Sequence, residues 1–123
     1  MKLLLALALT LSFGSCVSTP PDMLATDGAL GRQVQRVIAR HDDYVLADGA
    51  LDLRVADEAL AQSAALEALV GLPAIARSSL GAALAPVAGR HDAYVRADPQ
   101  LDELERETFL ASTDGLLRLA NLK

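Results

Sequence analysis

Arg40 to Asp52 reads RHDDYVLADGALD, and Arg90 to Asp102 reads RHDAYVRADPQLD. The two stretches align without gaps at an offset of 50 and agree at 9 of 13 positions. The same offset superimposes Leu30 on Leu80, Gly31 on Gly81, Val37 on Val87, Leu60 on Leu110, Leu66 on Leu116, Leu69 on Leu119 and Leu72 on Leu122. The chain is therefore a tandem duplication of one unit, over 30–72 and 80–122. Whatever fold one unit adopts, the other adopts too.

Inside each unit the apolar spacing is helical. Leu30, Val34, Val37, Ile38, His41, Tyr44 and Val45 recur at steps of three and four, and Leu80, Leu84, Val87, His91, Tyr94 and Val95 repeat them. Both stripes stop at equivalent places, Gly49 and Pro99, each unfavourable inside a helix, Gly by backbone entropy and Pro by its missing N–H. Asp52 and Asp102 follow at positions suited to cap a second helix, and Glu105 completes a capping box in the second copy, where the first has Val55. Each unit is thus an αα-hairpin, with helices expected near 28–48, 52–70, 74–98 and 102–121. Pro86, where the first copy has Arg36, is expected to kink the third helix near Ala82 or to split it.

Ala and Leu supply 47 of the 123 residues, a mixture that favours helix over strand. Two hairpins are too few for an open solenoid, so they are expected to close on each other. The predicted fold is all-α: a four-helix bundle built from two tandem αα-hairpin repeats.

Ahead of the repeats stand Lys2, an 11-residue run from Leu3 to Phe13, then Gly14, Ser15 and Cys16, the chain's one cysteine. A helix needs about 20 apolar residues to cross a bilayer, so the run is short for a membrane span and right for the apolar region of an export signal. The tetrapeptide FGSC, residues 13–16, resembles the lipobox of bacterial lipoproteins, with Phe13 in the place where Leu is usual. The resemblance implies removal of a signal peptide, 1–15, and lipidation of Cys16, the covalent lipid being the only cofactor expected. By the same resemblance Val17, not being Asp, favours the outer over the inner membrane, on the periplasmic side of the cell envelope. Residues 16–27, with Ser18, Thr19, Pro20 and Pro21, are expected to form a flexible tether, and 28–123 the helical domain.

Without residues 1–15 the chain would carry 10 basic and 16 acidic groups and only three aromatics, Tyr44, Tyr94 and Phe109. That balance repels nucleic acid and offers no stacking platform for bases.

The repeat also places His41, Tyr44 and Asp48 on one helix face, and His91, Tyr94 and Asp98 on its copy. These six are the candidate polar network or binding site. A metal site assembled from the two copies is one alternative, although the Glu-x-x-His pairs of di-iron bundles are missing. The His-Asp doublets at 41–42 and 91–92 lack the additional ligands of the HD phosphohydrolases. No GxSxG elbow, phosphate-cradling glycine loop or HExxH helix is present, so no catalytic residues and no enzymatic activity are expected.

The expected function is that of a lipid-anchored periplasmic module acting through contact with an envelope protein, in an oligomeric state the sequence leaves open. The segment RHDxYVxAD with LDELERETFL after its second copy also resembles small phage and prophage proteins. That resemblance implies the alternative of a phage-encoded lipoprotein for superinfection exclusion.

Overall fold

The computed structural model describes residues 22–121; the signal-like run, the lipobox-like FGSC and the first half of the expected tether, 16–21, lie outside them. The elements in chain order are β1 (Met23–Ala25), α1 (Ala29–Ala47), α2 (Leu53–Val70), β2 (Ala74–Ala76), α3 (Arg77–Ala97) and α4 (Glu103–Leu119). The four helices form two αα-hairpins closed into one bundle. Helix α1 packs on α2, α3 and α4, and α3 packs on α2 and α4 as well.

Helix boundaries follow the capping chemistry. Asp52 accepts the Val55 N–H at 2.9 Å, and Asp102 accepts that of Glu105 at 2.8 Å. The Glu105 carboxylate in turn accepts the Asp102 N–H, closing the capping box. Asp48 and Asp98 end α1 and α3 in extended backbone, just before Gly49 and Pro99. Helix α3 runs unbroken through Pro86, so the split alternative does not occur. The neighbouring Leu84, Val87 and Ala88 are wholly buried, and that burial holds the helix together where one backbone hydrogen bond is missing.

Two segments differ from the sequence-based expectation. The third helix begins at Arg77, not near 74, because Ala74–Ala76 is a strand. The last part of the expected tether is its antiparallel partner, with Leu24 opposite Ile75, and both side chains are buried in the core. Alternation of a single apolar residue between alanines is too short a signal to reveal a three-residue strand. The segment is anchored as well as paired. Thr26 donates its N–H to the Pro73 carbonyl and its hydroxyl to the Leu72 carbonyl, and Arg77 N–H bonds to the Asp22 carbonyl. Gly31 lets α1 approach this segment, since a Cβ there would lie 2.7 Å from the Thr26 carbonyl oxygen.

The strand register obeys the duplication. Exchanging the copies by the offset of 50 turns the pair Met23 and Ala76 into Pro73 and Thr26, which are themselves hydrogen-bonded at 3.2 Å. The pseudo-twofold axis therefore passes through the strand pair at one end of the bundle. At the other end it passes between Tyr44 and Tyr94, whose rings stack 5.3 Å apart. Between these ends lie two layers. The apolar core, next to the strands, holds Val34, Val37, Leu66, Leu80, Leu84, Val87 and Leu116, all essentially inaccessible. Beyond it sits a polar layer centred on His41 and His91. Among the described residues, no helix is long and apolar enough to cross a membrane.

Candidate functional site

Each histidine of the polar layer is fully buried, and each is bonded by the arginine of the opposite copy. The Arg40 guanidinium donates from Nε to His91 Nε2 at 3.1 Å, and Arg90 donates from Nη1 to His41 Nε2 at 3.0 Å. Arginine has donors only, so both imidazoles must accept at Nε2 and carry their proton on Nδ1. That proton is donated to the next residue in sequence: His41 to Asp42 at 2.8 Å, His91 to Asp92 at 2.9 Å. Ser63 and Thr113, themselves equivalent across the repeat, donate their hydroxyls to the same carboxylate oxygens at 2.7 and 2.6 Å. The arginines finish on Ser112, 3.0 Å from Arg40, and Gln62, 2.8 Å from Arg90.

Two guanidinium cations and two carboxylates are linked here through two neutral imidazoles, so the layer is charge-balanced. Among the described residues, no buried side-chain nitrogen or oxygen lacks a hydrogen-bond partner. Burial is the main reason His41 titrates below its ordinary value; the bond to Asp42 opposes that shift, and nearby Arg90 adds to it.

The geometry bears on two chemical readings. A Ser–His nucleophile needs the serine hydroxyl on an imidazole nitrogen, whereas the Ser63 hydroxyl bonds Asp42, and the His41 Nε2 lone pair is held by Arg90. The same lone pair is the one a metal would use, and it faces a cation. Among the described residues, no three His, Cys, Asp or Glu side chains are grouped to hold a metal ion.

Tyr44, Asp48, Tyr94 and Asp98 form a second crossed set nearer the turns. Tyr44 donates to Asp98 and Tyr94 to Asp48, both at 2.8 Å, so each tyrosine ties its helix to the other copy's turn. The second oxygen of each aspartate accepts the N–H two residues on, from Ala50 or Gln100, at 2.9 Å, which fixes the turn itself. The Gln100 N–H, then Tyr44, hold the Asp98 carboxyl below its ordinary range. All six sequence-selected residues thus lie in two adjacent cross-copy networks, the histidines in one and the Tyr–Asp pairs in the other.

Among the partners that escaped the sequence reading as site residues are Arg40, Arg90, Asp42, Asp92, Ser63 and Thr113. A signal existed for all of them. Arg-His-Asp is invariant between copies, and a hydroxyl recurs at 63 and 113 inside apolar helix faces, where a buried hydroxyl requires a partner.

Burial first, then the bond to aspartate, pushes both tyrosine hydroxyls up to about 12. Tyrosinate absorbance is therefore expected to rise with a midpoint near pH 12, not near the ordinary value of about 10. Because the folded values are raised, this contribution to stability is complete below pH 10 and is lost as pH climbs toward 12. Asp48→Asn is expected to lower the Tyr94 midpoint and leave Tyr44 in place.

Comparison with protein families, with curated proteins and with solved structures finds no match.

Proposed function

We propose that this protein is a lipid-anchored module of the bacterial cell envelope, held by acyl chains on Cys16 and acting through a partner protein. The partner would dock on the end of the bundle that carries the two turns. The observation carrying this reading is the distribution of charge. In segments 43–58 and 93–108, which flank the turns, ten carboxylates stand against three arginines; in the rest of the described chain, six stand against six. Three of the most exposed large apolar side chains, Leu46 at 71%, Leu53 at 83% and Leu104 at 73%, lie in the same two segments.

Exposed leucines among like charges favour a partner surface that is basic and carries apolar pockets. The topology supports the orientation. The chain enters at β1, at the strand end, and the 19 residues of α1 carry it about 28 Å to the turn end. A tether preceding β1 would leave the acidic end pointing away from the membrane. The closed polar layer supports a binding module over a catalyst, since its groups are spent on one another.

Mass spectrometry of the processed chain from a bacterial host tests the anchor, and an unmodified Cys16 thiol overturns that half of the reading. A photo-crosslinking residue at position 53 or 104 in intact cells tests the docking end. Discrete adducts are expected, sharply reduced when Glu103 and Glu105 are both replaced by Lys; absence of adducts rejects the docking end.

A further inference from the structure

The two interfaces that the duplication makes equivalent are not alike. Helix α2 packs closely along α3, whereas α4 meets α1 less extensively and leaves a groove of about 310 Å³. It is lined by Gln33, Arg36 and Arg40 of α1 and by Thr108, Phe109 and Ser112 of α4, among others. The residues at the equivalent places of the closed seam are Ala83, Pro86, Arg90, Glu58, Ala59 and Gln62. Gln62 reaches Arg90, and the shorter Ser112 satisfies Arg40 while leaving space. Pro86 becomes the cation Arg36, and Glu58 becomes the neutral Thr108. The open seam therefore carries two positive charges where the closed one carries one of each sign.

The cations of the groove touch no carboxylate directly among the described residues; the charge of Arg40 is balanced only through the His91 ring, by Asp92. No carboxylate is among the described residues that line the groove; Asp43 lines the neighbouring hollow with Tyr44. Arg40 uses Nε and one Nη2 proton on His91 and Ser112, so further N–H donors remain, and its Cζ lies over the Phe109 ring, 4.1 Å from the centroid. Desolvation by burial, and to a lesser degree the nearby Arg36, holds the Arg40 guanidinium below its ordinary value, although Tyr44 pulls the other way.

We infer that the α1–α4 groove is a binding site for a small organic oxyanion, its carboxylate or phosphate taken by Arg36 and Arg40 and its apolar body laid against Phe109. Arginine forks match either oxyanion, and the volume falls at the small end of ligand sites. This inference is independent of the anchor and of the acidic docking end.

The test is an amide-shift titration of the ¹⁵N-labelled full chain in a nonionic detergent, with benzoate, phenyl phosphate, inorganic phosphate and the uncharged benzyl alcohol as probes. Saturable shifts are expected in 33–40 and 108–115, with the equivalent seam, 83–90 and 58–65, unmoved. Benzoate saturating alone would mark a carboxylate site, and phenyl phosphate alone a phosphate site. Two variants make the result specific. Arg36→Gln is expected to weaken binding about tenfold or more, as loss of a charge-assisted contact does. Ser112→Gln installs the residue of the closed seam and is expected to abolish binding with the melting temperature nearly unchanged, since Gln62 already makes that bond to Arg90. The inference is overturned by any of three results: shifts spread equally over both seams, no saturation by any anion, or equal binding of benzyl alcohol. Undiminished binding by both variants overturns it too.

Discussion

Asp92→Ala is expected to destabilise the protein by about 3–5 kcal/mol, which would be a large share of the roughly 5–15 kcal/mol available to a domain of this size. One oxygen of Asp92 receives both the His91 Nδ1 proton and the Thr113 hydroxyl, and all three residues are buried. Deleting the carboxylate strands the His91 Nδ1 donor away from water, at about 1–3 kcal/mol, while the Thr113 hydroxyl falls back on the Leu110 carbonyl 3.0 Å away. It also leaves Arg40, bonded to the far side of the same ring, without the negative charge that balances the layer. Asp92→Asn loses the same charge but keeps an acceptor oxygen for both donors, and is expected to cost less than the alanine variant, about 1–3 kcal/mol. Urea unfolding followed by circular dichroism measures both. Equal, small losses for the two variants would show that the carboxylate does not organise this layer.

Acid is the second lever. His41 is neutral in the folded protein and its pKa is lowered there, so the unfolded chain takes up a proton that the folded one refuses. Stability is then complete above the unfolded value of about 6.5 and falls as pH drops from there toward the depressed folded value, by up to about 1.4 kcal/mol per pH unit for this one proton. Protonation also destroys the acceptor that Arg90 uses, setting two cations face to face. Unfolding midpoints measured between pH 7.5 and pH 5 should therefore decline, in a range where ordinary carboxylates stay ionised. Asp98, whose carboxyl is lowered, adds its own loss only further down, within the carboxylate range. A flat profile from pH 7.5 to 5 would mean that His41 keeps its ordinary affinity for protons inside the bundle.

These two expectations rest on residues that sequence reasoning saw unequally. His41 and His91 were legible because they fall on the apolar stripe and recur at a fixed offset. Their arginine partners stand beside them in the same motif, yet an arginine preceding a buried position reads as an ordinary solvated residue. What reveals them is a bond to a histidine 49 or 51 residues away. Local spacing carries no information about such a contact. The tyrosines show the same limit: periodicity put Tyr44 and Asp48 on one helix face, whereas the bonds run from Tyr44 to Asp98 and from Tyr94 to Asp48.

The amino-acid sequence by itself determined the duplication, the four helices and most of their ends, because these depend on short-range chemistry: apolar residues three and four apart, aspartate caps, and a Gly or Pro where a helix must stop. Only the tertiary structure decided that each copy's arginine serves the other copy's histidine, that residues 23–25 and 74–76 pair as strands, and that one of two equivalent seams stands open. Those outcomes depend on which surfaces meet across some fifty residues of chain. There, small differences such as Ser112 against Gln62 alter the fit between helices without altering either helix.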